Sequence, residues 1–133
     1  MKVSIVVTHL LGSGHLARAL TLARAFLAAG HRVTVVSGGM PAPHLNGDGI
    51  GVLHLPPVRS DGVNFAQLLD KNGAAVTAAL FDTRRAMLVD HLTATAPDVL
   101  MTELFPFGRR SLGPEFTALL EAAQAMPRRP LIC

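Results

Sequence analysis

The first 37 residues hold the feature that most constrains the fold: two strand-like runs separated by a glycine-containing turn and a helix-like stretch. Residues 2–8 are rich in β-branched side chains, as in a strand buried on both faces of a parallel sheet. From residue 14 to 29, apolar residues recur every three or four positions, which predicts an amphipathic helix ended by Gly30. Residues 32–37, RVTVVS, predict a second strand. This order is typical of parallel strands joined by helices.

The same alternation continues along the rest of the chain. We predict a third strand at residues 51–55, a short helix at 64–70, a longer helix at 74–96, a fourth strand at 98–104, a helix that begins near Pro114, and a fifth strand at 131–133. Alternating strands and helices with one apolar face on each helix predict an α/β fold. We expect an open, doubly wound parallel sheet with the strand order 3-2-1-4-5, which is Rossmann-like and incomplete at its C-terminus.

Composition limits the classes of function. A length of 133 residues fits about one domain, and 50% hydrophobic residues support a buried core. No apolar run resembles a membrane span or a signal sequence, so we expect a cytoplasmic protein. The net charge of +3 is spread without a basic stripe, which argues against nucleic acid but leaves phosphorylated ligands or an anionic membrane surface open. The single cysteine, Cys133, excludes an intrachain disulfide and a cysteine-based metal site.

The predicted strand order places a ligand crevice at the carboxyl ends of the first and fourth strands, where the order reverses. The loop after the first strand reads Gly12-Ser13-Gly14, and we expect its two glycines to take positive φ and let a ligand approach the backbone. The first turn of the following helix offers free N–H groups and a positive dipole end, which suit a phosphate or a carboxylate. His15 lies in that turn, where the dipole disfavours its charged form, and we predict that it is a general base. The other five histidines are interpreted as structural.

A nicotinamide or flavin enzyme is the first alternative, because Gly12, Gly14 and Ala17 satisfy a relaxed dinucleotide fingerprint. That fingerprint requires an acidic residue about 20 residues further on, at the end of the second strand, to bind the ribose. The sequence there is VVSGGMP, which contains no acidic residue. We therefore expect no bound cofactor.

Two segments resemble a known family. GSGHLARALTLARAFLAAGHRVTVVSGG, residues 12–39, resembles the start of the GT-B glycosyltransferases, in particular the branch of the lipid-intermediate N-acetylglucosaminyltransferase of peptidoglycan synthesis. DVLMTELFPFGRR, residues 98–110, resembles the matching loop of predicted bacterial glycosyltransferases. The resemblance implies that residues 1–133 form an N-terminal acceptor-binding domain, and that a C-terminal domain absent from this sequence binds a nucleotide-sugar co-substrate. It also implies that His15 is the base, with the glycine-rich loop near the acceptor or the donor phosphates.

The loop after the fourth strand supplies the remaining candidate residues. Glu103 ends that predicted strand and can orient a sugar hydroxyl or His15. Arg109 and Arg110 can pair with a phosphate or a carboxylate. Arg18, one turn into the first helix, either assists an anion or is solvated.

One departure from the family pattern leaves the reaction open. Many relatives have a proline three residues after the histidine, whereas this chain has Arg18. The pattern Gly-His-x-x-Arg also resembles nucleotide-sugar hydrolases of sialic-acid-like sugar synthesis, which use the histidine to activate water.

Three hypotheses remain: the acceptor domain of a glycosyltransferase, a hydrolase on the same fold, and a non-catalytic module that binds an anion or a partner. An open last strand predicts self-association or a partner, and no turnover from residues 1–133 alone.

Overall fold

The computed structural model describes all residues from 1 to 133 and contains one five-stranded parallel sheet with the order β3-β2-β1-β4-β5. The strands are β1 Lys2–Val7, β2 Arg32–Ser37, β3 Gly51–His54, β4 Val99–Thr102 and β5 Leu131–Ile132. The helices are α1 Gly14–Ala28, α2 Ala78–Thr95 and α3 Gly113–Ala125, and a 3₁₀ turn at Arg110–Leu112 precedes α3. The predicted α/β class and strand order are confirmed.

The sheet has a hydrophobic core on each face, because successive side chains of a strand point to opposite sides. Val3, Ile5 and Val7 of β1 belong to the core that includes the buried face of α1. Val6 belongs to the core on the other face, which α2 and α3 cover with residues such as Leu88. Helices on both faces keep β1 and most of β2 buried, whereas the edge strands β3 and β5 are largely exposed. None of the three helices combines the length and the apolar character needed to cross a membrane.

The predicted helix at residues 64–70 is wrong. Polar side chains bind nearby backbone N–H groups there: Asp61 accepts from Val63 and Asn64, and Asp70 accepts from the N–H groups of residues 72 and 74. These local hydrogen bonds favour turns over helix. The segment is anchored by an antiparallel bridge between Arg59 and Leu69.

Two element boundaries differ from prediction by more than one residue. Helix α2 begins at residue 78 instead of 74, because the hydroxyl of Thr77 accepts a hydrogen bond from the N–H of Leu80 and caps the helix. Strand β4 ends at Thr102 instead of residue 104, since Leu104 has a left-handed φ of 65° that breaks the extended backbone. Glu103 therefore directly follows the strand, and its N–H still donates to the carbonyl of Val6, at 2.9 Å.

Candidate functional site

Two candidate residues that lie 88 positions apart in the sequence are in contact at the carboxyl edge of the sheet. His15 lies in the first turn of α1 and Glu103 follows β4, and His15 Nδ1 is 2.8 Å from Glu103 Oε1. Glu103 is largely buried, with 11% of its side chain exposed, and His15 is 34% exposed. The second oxygen of Glu103, Oε2, is buried and has no hydrogen-bond partner. This contact connects the two loops that the strand order predicted to be neighbours.

Arg18 completes a cluster of three side chains, which we call the crevice cluster: His15, Arg18 and Glu103. Arg18 Nη2 donates to Glu103 Oε1 at 2.6 Å and lies 2.8 Å from His15 Nδ1. Nδ1 can donate to the glutamate or accept from the arginine, but not both. Because an ionised carboxylate can only accept, the 2.8 Å contact with Glu103 Oε1 requires a proton on Nδ1, and we assign it there. Nε2 of His15 is then an unprotonated acceptor.

Arg109 and Arg110, the two arginines of the second loop, occupy different positions. Arg109 has a left-handed φ of 61°, and its Nε donates to the carbonyl of Thr8 at 2.6 Å, which fixes the base of its guanidinium. Burial lowers the pKa of Arg109, and the nearby charge of Glu103 partly offsets that effect. Arg109 and Arg110 both line a shallow cleft of about 620 Å³ that also contacts Leu10 and Phe65. The two arginines thus face space large enough for a phosphorylated group.

The glycine-rich loop is open to solvent. Gly12 and Gly14 do not adopt positive φ, so the backbone does not require glycine there for its conformation. A Cβ atom at either position would meet nothing within 4 Å, which leaves room for a ligand beside the backbone. The hydroxyl of Ser13 lies 3.2 Å from His44 Nε2 and makes no cap hydrogen bond to α1. The first-turn N–H groups of α1 are therefore not capped by Ser13.

A cleft of about 370 Å³ lies between the glycine-rich loop and residues 40–44. His9 lines it and is almost completely buried, with 4% exposed and no partner for Nδ1. Burial is the main cause that lowers the pKa of His9, and the charges of Arg109 and His15 lower it further. An apolar groove of about 300 Å³ along α1 adjoins this cleft, since Pro41 and Ala42 line both. No three His, Cys, Asp or Glu side chains lie close enough together to hold a metal ion.

The sequence interpretation missed a second pair of charged residues below this edge. Arg84 of α2 and Glu115 of α3 form a salt bridge of 2.7 Å, with 0% and 3% of their side chains exposed. One sequence signal could have revealed the buried position of Arg84, though not its partner: Arg84 lies four residues from Leu88 and eight from Leu92, on the buried face of the helix. An arginine at a core position requires a buried partner.

Comparison with solved structures shows a glycosyltransferase-like fold. The glycosyltransferase SsfS6 of Streptomyces sp. SF2575 aligns with 99% of this chain, at a TM-score of 0.55 and 15% sequence identity. MurG of Acinetobacter baumannii aligns with 98%, at a TM-score of 0.58 and 17% identity. UGT2 of Phytolacca americana, in complex with UDP-2-fluoro-glucose and pterostilbene, aligns with 91%, at a TM-score of 0.57 and 18% identity. These neighbours are glycosyltransferases of the GT-B class.

The chain corresponds to only part of each neighbour. It spans 49% of the length of SsfS6, 34% of MurG and 28% of UGT2. No protein-family model matches the sequence, and the search of curated proteins gave no match. The similarity is thus one of fold, carried by the sheet and helices described above.

Proposed function

We propose that residues 1–133 are the acceptor-binding domain of a nucleotide-sugar-dependent glycosyltransferase in which His15 is the general base. The observation that carries this proposal is the 2.8 Å contact between His15 Nδ1 and Glu103 Oε1. A carboxylate that accepts from Nδ1–H fixes the tautomer and orientation of the ring, and it stabilises the imidazolium that forms when Nε2 takes a proton. The glycosyltransferase-like fold supports the assignment of this pair to glycosyl transfer.

In the proposed reaction, Nε2 of His15 removes the proton from an acceptor hydroxyl. The hydroxyl oxygen forms a bond to the anomeric carbon of the donor sugar, and the bond from that carbon to the nucleoside diphosphate breaks. The leaving diphosphate keeps the electron pair of the broken bond, and the proton stays on His15 until solvent removes it. Arg109, Arg110 and the N–H groups near Gly12, Ser13 and Gly14 would bind the negative charge of the diphosphate.

A hydrolase is the second candidate, and the contacts of Arg18 favour it. Arg18 is the residue by which this sequence resembles nucleotide-sugar hydrolases, and its guanidinium is hydrogen-bonded to Glu103 in the crevice cluster. In that reaction His15 would deprotonate water instead of an acceptor hydroxyl. Every other step is the same, so transfer and hydrolysis differ in the molecule that attacks the sugar.

The two reactions are separated by a labelling experiment. The chain is assayed alone and fused to the nucleotide-binding domain of a GT-B glycosyltransferase, with UDP-glucose and dTDP-glucose as donors in ¹⁸O-labelled water. We expect release of nucleoside diphosphate from the fusion only, in proportion to added hydroxyl-bearing acceptor and without label in the sugar. Label at the anomeric carbon would instead establish hydrolysis, and turnover by the chain alone would contradict the two-domain arrangement.

A further inference from the structure

The guanidinium of Arg84 has an acceptor for each of its five N–H donors. Nε and Nη2 donate to the two oxygens of Glu115, at 2.9 and 2.7 Å. Nη1 donates to the carbonyls of Gly38 and Pro56, at 2.8 and 2.6 Å, and Nη2 also contacts the hydroxyl of Thr8 at 3.5 Å. A planar fork of five donors is required to make all of these contacts, and no other side chain provides it.

The acceptors of Arg84 other than Glu115 lie just after three adjacent strands. Thr8 follows β1, Gly38 follows β2, and Pro56 comes two residues after the end of β3. One side chain from α2 therefore contacts the segments that leave the sheet beneath the candidate site. The packing is tight, because a Cβ atom on Gly38 would overlap both Thr8 Oγ1 and Arg84 Nη2.

Thr8 connects this buried pair to the candidate site. Its hydroxyl faces Arg84, and its carbonyl accepts the hydrogen bond from Arg109 Nε at 2.6 Å. The terminal nitrogens of Arg109 make no hydrogen bond within the chain, so they are available to an anion in the adjacent cleft. The position of Arg109 therefore depends on the position of the Thr8 backbone.

Stability alone does not account for a buried ion pair at this place. Removing two charges from water is costly, and apolar residues of similar volume often replace such pairs without loss of stability. The surroundings are apolar enough for that replacement, since Leu88, Leu112 and Phe116 are fully buried in the same core. An apolar pair would, however, leave the carbonyls of Gly38 and Pro56 without the guanidinium donors.

We propose that Arg84 and Glu115 are positioning residues that hold Thr8, and through it Arg109, in the geometry required to bind a phosphate group. The identity of that phosphate as part of a sugar donor rests on the proposed function. The link from Arg84 through Thr8 to Arg109 does not depend on sugar transfer. Arg84 itself is buried away from any ligand and acts only through the strand ends. The terminal nitrogens of Arg109 suit a phosphate group, and in the proposed function that group belongs to the diphosphate of the sugar donor.

The test compares the wild-type chain with the double variant Arg84→Met/Glu115→Leu, using inorganic pyrophosphate as the probe. NMR follows the Nε–H signal of Arg109: its exchange with water, and its shift on titration with pyrophosphate. We expect the double variant to remain folded, with exchange at least 10-fold faster and pyrophosphate affinity about 10-fold lower. Leu92→Val, two core positions further along the same helix face, is the matched control, and it should lower the thermal midpoint without changing either readout.

The outcomes separate the proposals. A folded double variant with unchanged exchange and affinity overturns the positioning role. A wild-type chain whose Arg109 signal does not respond to pyrophosphate overturns Arg109 as a phosphate ligand and the inference with it. If the double variant does not fold, Thr8→Val tests the same link, because it removes only the hydroxyl that faces Arg84, and unchanged readouts in that variant overturn the inference. A failed turnover assay beside a responsive Arg109 signal rejects the proposed function alone.

Discussion

Two clusters of this protein each pair a glutamate with an arginine, and they differ in how completely their hydrogen bonds are satisfied. In the buried pair, every donor of Arg84 has an acceptor and both oxygens of Glu115 accept. In the crevice cluster, Glu103 Oε2 has no partner, and Arg18 is 57% exposed. A closed set of hydrogen bonds fixes a geometry, whereas a buried oxygen without a partner and an exposed guanidinium leave hydrogen-bonding capacity unused. The same residue types thus form a fully hydrogen-bonded pair in one cluster and keep unused hydrogen-bonding capacity in the other.

The largest effect on stability is expected from Arg84→Met. The substitution leaves Glu115 buried without a counter-charge and is expected to cost about 3–5 kcal/mol of the free energy of unfolding, measured by urea denaturation. The control is Arg85→Met on the same helix, which removes an exposed contact to Asp82 and should change stability by less than about 1 kcal/mol. Equal and small losses in the free energy of unfolding of both variants would show that Glu115 does not depend on Arg84 as its counter-charge.

The crevice cluster is expected to respond in activity instead of stability. In an active fusion, His15→Ala should lower turnover roughly 10²-fold or more, which corresponds to about 2.7 kcal/mol in the barrier, because no other group replaces the base. Its free energy of unfolding should change by less than about 0.5 kcal/mol, since the side chain is partly exposed. The matched control is His31→Ala, at the opposite end of α1, and it should leave turnover unchanged. Wild-type turnover in the His15→Ala variant would rule out His15 as the general base.

Much of the fold could be predicted because it depends on local pattern. Alternating strand-like and helix-like segments predicted the strand order, and that order predicted that the loops of His15 and Glu103 are neighbours, as the structure shows. The roles of these residues remain predictions. The turns at residues 64–70 were mispredicted because side-chain hydrogen bonds to the backbone outweigh a weak helical pattern. The Arg84–Glu115 pair could not be assigned, since it depends on how two helices pack across the same face of the sheet.

Two histidines are expected to make stability depend on pH: His9, which is buried beside the crevice, and His91, which is half-buried and remote from it. Burial lowers the pKa of both His9 and His91, so the folded protein binds fewer protons than the unfolded chain between the lowered pKa and the ordinary value near 6.5. The free energy of unfolding is therefore complete above that value and falls as the pH decreases below it, by up to about 1.4 kcal/mol per pH unit for each histidine.

The variant His91→Gln isolates the contribution of His91 to the pH dependence of stability. Glutamine can keep the hydrogen bond to the hydroxyl of Ser4 without titrating, so denaturation curves between pH 5 and 7 should show a smaller slope of stability against pH. The remaining slope includes His9, whose pKa is also lowered by the charges of the nearby Arg109 and His15. An unchanged slope would show that His91 does not titrate differently in the folded and unfolded states.

Gly14→Ala is expected to have the smallest effect. It also separates ligand binding from folding most clearly. Gly14 is the first residue of α1, has no positive φ, and has open space where a Cβ atom would lie. Alanine should therefore stabilise the protein by about 0.4–1 kcal/mol, because it reduces the freedom of the unfolded chain. The added methyl group should at the same time weaken pyrophosphate binding at the glycine-rich loop, and Gly14→Val should weaken it further.

The control is Gly30→Ala after the same helix, where φ is +85° and the substitution should destabilise the protein without changing its affinity for pyrophosphate. If the Gly14 variants are stabilised and bind pyrophosphate as tightly as the wild type, the glycine-rich loop does not belong to the candidate site. The contact of His15 with Glu103 is then the remaining support for that site.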